Sequence, residues 1–147
     1  MTFYYPRQIR FHETDGAGVV YFANVLTLCH EAYEASLEAA GVELSEFFSP
    51  NGAVIPVVRA SVDFFRPMAC GDRITIALEP SPLRKPDRPI SKFSIEYHLF
   101  ASAEIDRLAP VIAQAQTHHC CIDAETRRRQ ALSDELQAWL ERWRSPD

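Results

Sequence analysis

The sequence has no long hydrophobic run. Its apolar stretches, residues 18–23 for example, stop far short of the roughly 20 residues that cross a membrane. A membrane-spanning helix is therefore not expected. The opening MTFYYPRQIR carries no secretory-leader pattern, so the expected compartment is the cytoplasm. Basic charge is also scarce: 15 Lys and Arg stand against 20 Asp and Glu, a net charge of −5. Nucleic-acid affinity rests mainly on clustered cations, so no nucleic-acid partner is expected. The four cysteines form no C-x-x-C pair, which argues against a disulfide framework. His118-His119-Cys120-Cys121 has zinc-ligand chemistry, yet alternate residues of a strand face opposite ways, so at most two ligands converge. No metal is expected.

What the sequence does contain is enough apolar material for one core. Its 147 residues are 47% apolar and 24% charged, which predicts a single globular domain over 1–147 with its core over about 4–123. A chain of this size buries about two-thirds of its unfolded surface and needs neither metal nor disulfide to hold together.

The hydrophobic period changes along the chain. Residues 4–11 alternate weakly and read as a strand that ends in the Gly-containing stretch 15–18. From 22 to 40 the residues Phe22, Leu26, Cys29, Tyr33, Leu37 and Ala40 recur at three- and four-residue steps, predicting a long helix with one buried stripe. Gly41 is the expected stop, with Val42 placed for the usual apolar contact. His30 and Glu34, one turn apart on the other side, read as an exposed pair. After Pro50-Asn51-Gly52 the period becomes two. Strands are predicted over 54–64, with Val54, Val58, Ala60, Val62 and Phe64 on one face, and over 74–78, 93–99 and 111–122. A Pro-rich break separates the second and third, and a helix over about 131–143 closes the chain. Arg127-Arg128-Arg129, among acidic neighbours, reads as a solvated turn. The order predicts an α+β protein: an antiparallel sheet whose consecutive strands mostly pair, covered by one long helix. Its open edges favour self-association.

The densest chemical signal is the run from Phe11 to Asn24. It holds a carboxylate, Asp15, then Gly16 and Gly18, then the start of an apolar helix. Glycine lets backbone approach a ligand, and a helix start offers unpaired N–H groups and partial positive charge to an oxyanion. A carboxylate there can attack a carbonyl or activate water, which is acyl transfer or hydrolysis. The same residues also read as a plain Asp-Gly turn with Asn24 capping the helix.

The stretch Thr14-Asp15-Gly16-Ala17-Gly18-Val19-Val20-Tyr21-Phe22-Ala23-Asn24 resembles the signature x-D-x-x-G-[IV]-[VW]-[YWF]-x-x-N of hotdog-fold acyl-CoA thioesterases of the 4-hydroxybenzoyl-CoA thioesterase family. The likeness runs from about Tyr5 to Ile122. The fuller run from Phe11 to Leu26 is most similar to the cyanobacterial 1,4-dihydroxy-2-naphthoyl-CoA thioesterases of phylloquinone biosynthesis. The resemblance implies a hotdog fold, five antiparallel strands wrapped around one long central helix, and hydrolysis of an acyl-CoA thioester without a cofactor. It makes Asp15 the catalytic carboxylate, nucleophile or general base, and Phe22 the residue whose backbone N–H polarises the thioester carbonyl. Gly16, Gly18, Tyr21 and Asn24 support the loop and helix start. His12 either contacts the site or ends the first strand. Arg84, Lys85 and Arg88 fall where family members meet the CoA phosphates, and Lys and Arg suit phosphate. A flat acyl group needs an apolar slot, for which Val58, Ala60, Val62 and Phe64 with Tyr21 and Phe22 are candidates. The resemblance further implies a homodimer paired into a homotetramer, with the site finished by a second copy. Other readings are a thioesterase for short aliphatic or other aromatic acyl-CoA or for acyl carrier protein, and a hotdog domain that binds acyl-CoA without cleaving it. A pure binder has no need of a carboxylate at Asp15.

Overall fold

Alternating apolar positions in the second half of the chain build a sheet whose inner face closes over one helix. The computed structural model describes residues 1–49, 53–104 and 108–146; the expected turn at Pro50-Asn51-Gly52 lies outside them. Five antiparallel strands form the main sheet in the order β1-β4-β5-β6-β3: β1 (Phe3–Gln8), β3 (Val57–Phe64), β4 (Arg73–Pro82), β5 (Lys92–Phe100) and β6 (Val111–Cys120). A separate ladder pairs β2 (Ala53–Val54) with β7 (Ile122–Asp123). The long helix α1 (Asn24–Ala39) and the C-terminal α3 (Asp134–Trp143) pack on the sheet, and a single-turn α2 (Leu44–Phe47) follows α1. This is the α+β hotdog arrangement.

Several expectations need correction. The first strand ends at Gln8, and Phe11–Glu13 forms a 3-10 turn. The strand expected over 54–64 is two, β2 and β3, broken at Pro56, which has no N–H for a ladder. The strand after α1 does not pair with its successor but crosses to the far edge beside β6. The prolines expected to end the next strand lie inside it. Pairing with β1 stops at Phe3↔Leu78, so Pro80 and Pro82 have only β5 beside them, where a missing N–H is tolerated.

The buried stripe of α1 is also rotated. Cys29, Tyr33 and Leu37 lie in it as expected, joined by Val25, Leu28, Ala32 and Ser36, while Phe22 is exposed ahead of the helix. Polar Ser36 is inside because α3 needs it: Trp139 Nε1 donates to Ser36 Oγ at 2.9 Å and Trp143 Nε1 to Ser36 O at 3.0 Å. Thus α3, which starts one residue after its cap Ser133, packs on its own chain. Gly41 stops α1 at φ 86°, with Val42 N–H reaching back to Leu37 O at 3.0 Å, the left-handed helix end that glycine permits.

Strand β3 is the bare edge. All but one of its eight residues are exposed, Val58 at 57% and Phe64 at 51%, and Phe65 beyond it at 57%. Of the face read as an apolar wall, Val62 alone packs against the core.

Candidate active site

The loop between β1 and α1 is held from below by one buried carboxylate. Glu13 is 7% exposed. Its side chain accepts both terminal nitrogens of Arg7 and the Arg10 N–H at 2.8 Å. Arg7 also reaches Glu31 on α1, Nε to Oε2 at 2.9 Å and Nη2 to Oε1 at 3.0 Å. Burial alone raises the Glu13 pKa, but the Arg7 guanidinium and the Arg10 N–H outweigh it and hold the carboxyl below its usual value. The Glu13 carbonyl is used twice, by Tyr21 N–H at 2.9 Å and by Asn24 Nδ2 at 2.9 Å. Asn24 is therefore a tie between the 3-10 turn and the helix and not a cap; the cap position is Ala23.

Above this foot the chain makes a narrow excursion closed by a Thr14↔Val20 bridge and fastened to the β3–β4 connection by Val19↔Ala69. At its tip Asp15 O accepts Gly18 N–H at 3.0 Å, Asp15 N–H donates to Val19 O at 2.9 Å, and Asp15 Oδ1 accepts Ala17 N–H at 2.8 Å. Gly18 sits at φ +78°, a conformation that a side chain strains. Asp15, Gly16 and Gly18 are exposed, as is His12 at the foot, whose side chain is 80% exposed. The N–H groups of Phe22 and Ala23 find no acceptor among the described residues. They form a pair of free donors at the head of α1. The Tyr21 and Phe22 rings meet at a tilt of 57° with centroids 4.7 Å apart, and both are exposed.

A cavity of about 340 Å³ runs beside the first two turns of α1, against β3, β5 and β6. Leu26, Cys29, Ala60 and Tyr97 line it, with His30 at its wall; of the expected slot residues only Ala60 takes part. Burial pushes the Cys29 thiol up to about 12, so it is no nucleophile near neutral pH. His119, also in the wall, is pushed down to about 4 by burial and by the neighbouring His30 and His118, and stays neutral. His118 faces the other way, bonded to Gln116 Oε1 at 3.0 Å. Among the described residues no three His, Cys, Asp or Glu side chains cluster to hold a metal.

The basic turn is the β4–β5 hairpin loop, with Leu83 N–H on Lys92 O and Asp87 at φ 64°. Arg84, Lys85 and Arg88 line a cavity of about 730 Å³ there, joined by Lys92 and by Arg129, the latter drawn out of the turn read as merely solvated. Within one chain this turn and Asp15 are far apart. The Asp15 loop is tied to the Arg73 end of β4 through Ile9 N–H on Asp72 O and Val20 N–H on Met68 O, and ten residues of β4 span about 30 Å.

Comparison with known proteins agrees with the fold. Residues 9–140 match the model of the thioesterase-like superfamily. The chain belongs to that superfamily. It is 49% identical to the 1,4-dihydroxy-2-naphthoyl-CoA hydrolase of Nostoc punctiforme over 96% of this chain and 88% of that one. It is 47% identical to the hydrolase of the same name from Trichodesmium erythraeum, over 95% and 96%. Among solved structures, a 1,4-dihydroxy-2-naphthoyl-CoA thioesterase from Synechocystis superposes with a TM-score of 0.84 at 36% identity, covering 95% and 96% of the two chains. The motif resemblance thus extends to the whole hotdog chain, and this thioesterase-like protein is an enzyme of CoA thioester hydrolysis.

The Arg7–Glu13–Glu31 network, Thr117, His119 and Arg129 escaped the motif reading. For Thr117 and His119 a signal existed: they share the inward parity of β6 with Ala113 and Ala115, so they are polar residues on an apolar face.

Proposed function

We propose that this chain hydrolyses 1,4-dihydroxy-2-naphthoyl-CoA to 1,4-dihydroxy-2-naphthoate and CoA. The observation that carries it is the loop: an exposed carboxylate, Asp15, on a tied-down turn that leads into the free N–H groups of Phe22 and Ala23, in a chain about half identical to hydrolases of that name. The Phe22 N–H holds the thioester oxygen as negative charge develops there. Asp15 delivers the attack on the carbonyl carbon, directly or through water. The C–S bond breaks, CoA leaves as thiolate and takes up a proton, and water supplies the oxygen of the product acid. The acyl ring lies in the cavity along α1, and Arg84, Lys85 and Arg88 meet the CoA phosphates.

A second copy completes the site, and the fold supports this. β3 is an exposed apolar edge, which needs cover. Two-fold pairing along β3 sets the Phe64 end of one copy beside the Val57 end of the other. The Val57 end is also the end of the basic turn, through Val57↔His119 and Lys92↔Cys120. Antiparallel pairing therefore turns the partner's basic loop toward Asp15.

Thiol release from a panel of aromatic and short aliphatic acyl-CoAs and acyl carrier protein thioesters tests the substrate. The naphthoyl thioester is expected to give the highest kcat/KM, and a faster aliphatic substrate overturns the assignment. Mixing Asp15→Asn with an Arg84→Ala/Lys85→Ala/Arg88→Ala chain tests the shared site: activity above either parent is expected, because the mixed dimer holds one intact site.

A further inference from the structure

The cavity beside α1 has a mostly apolar lining, with Thr27 and His30 on the helix side and one connected string of hydrogen-bonding groups on the sheet side. Thr117 Oγ1 lies 2.8 Å from His119 Nε2 and 3.5 Å from the Tyr97 hydroxyl. All three side chains are more than nine-tenths buried and line the cavity. The imidazole is clamped by a parallel stack on Phe93, centroids 4.6 Å apart, and by Tyr33 at 5.2 Å. His119 Nδ1 and Tyr33 Oη have no hydrogen-bond partner among the described residues. Buried polar groups are nearly always hydrogen-bonded, so groups left short of partners here call for an explanation.

We infer that this string is the specificity determinant for the acyl ring, and that Tyr97 Oη binds the ring hydroxyl remote from the thioester, the 4-hydroxyl. The inference rests on the proposed substrate and adds the residues that read it. Position supports it: Leu26 to His30 lie roughly 3 to 9 Å along the helix axis beyond Asn24, so a ring whose carbonyl is held at Phe22 extends into this wall. Proton arithmetic supports it too. With the His119 proton on Nε2, that nitrogen donates to Thr117, Thr117 donates to Tyr97, and the Tyr97 proton is free to donate. With the proton on Nδ1, Thr117 donates to His119, Tyr97 donates to Thr117, and the Tyr97 oxygen is free to accept. A phenolic hydroxyl both donates and accepts, so either arrangement serves it. A few polar groups in an apolar lining are how a pocket fixes orientation, and a site built to bond a hydroxyl rejects the analogue lacking it.

The test compares 1,4-dihydroxy-2-naphthoyl-CoA with 1-hydroxy-2-naphthoyl-CoA, which differs by that one hydroxyl, on wild type, Thr117→Val, Tyr97→Phe and Thr117→Ser. Wild type is expected to favour the dihydroxy substrate at least roughly tenfold in kcat/KM. Thr117→Val and Tyr97→Phe are expected to shrink that ratio to about twofold or less by losing activity on the dihydroxy substrate only. Thr117→Ser, which keeps the hydroxyl, keeps the ratio. Equal loss on both substrates, or an unchanged ratio in the Val and Phe variants, overturns the inference. Wild type that cleaves both equally well removes this inference and leaves the proposed reaction standing. Wild type that cleaves neither removes both.

Discussion

The foot and the tip of the β1–α1 loop each carry a carboxylate, two residues apart, under opposite conditions. Glu13 at the foot is buried, paired with Arg7 and bonded by Arg10. Asp15 at the tip is exposed and takes a single internal hydrogen bond from Ala17. A carboxylate saturated with donors has little left for a substrate, whereas one held by its backbone and left open does. The foot does the positioning and the tip is free for chemistry.

That contrast can be broken from either side. The largest effect belongs to the tip. Asp15→Asn is expected to lower turnover at least roughly a hundredfold with little change in KM or in thermal midpoint; thiol-release kinetics beside a melt decide it, and undiminished turnover rejects the role. At the foot the order reverses. Glu13→Ala strands Arg7 with Glu31 alone and leaves the Arg10 N–H without its acceptor. The main-chain carbonyl that holds Tyr21 and Asn24 stays but loses its anchor, so a loss of about 2 kcal/mol in denaturant unfolding is expected, with activity falling as a consequence.

Acid sharpens the comparison further. The Glu13 pKa in the folded chain lies below its unfolded value, so its contribution is complete above the unfolded value and is lost as pH falls through the folded one. His119, at about 4 when folded, adds a slope higher up. Between its unfolded value near 6.5 and about 4 the unfolded chain binds a proton that the native chain refuses, and stability falls by up to about 1.4 kcal/mol per pH unit. His119→Gln is expected to flatten the upper part of a stability–pH curve and leave the Glu13 limb in place. Smallest is Gly18→Ala. The strain at φ +78° costs about 1 kcal/mol, and its signature is a drop in kcat larger than the drop in stability, because the tip moves while the foot holds.

Periodicity read the elements well because each buries one face: the helix stop at Gly41, the inward residues Phe93, Ile95, Tyr97 and Leu99, and the amphipathic α3 all lie where the pattern sets them. It read partners poorly. Nothing local says that β3 crosses to the edge beside β6, because register is a long-range property, and so a strand read as half-buried is bare. The motif singles out Asp15 as a candidate, but what fixes the loop is an Arg7–Glu13–Glu31 network whose members are ordinary surface residues until the fold joins positions 24 residues apart. Tyr97 was legible as inward, yet its tie to Thr117 needed two strands in register.

The two tryptophans of the chain both donate to Ser36, so intrinsic fluorescence has a single address. Emission from Trp139 and Trp143 reports the seam between α1 and α3, at the end of the long helix remote from Asn24 and the β1–α1 loop. A variant whose loop has come loose, Glu13→Ala foremost, will keep a native emission spectrum while it loses activity. A fluorophore attached to exposed Cys70, close to the Ala69 anchor of the loop, puts a signal where the tryptophans are blind.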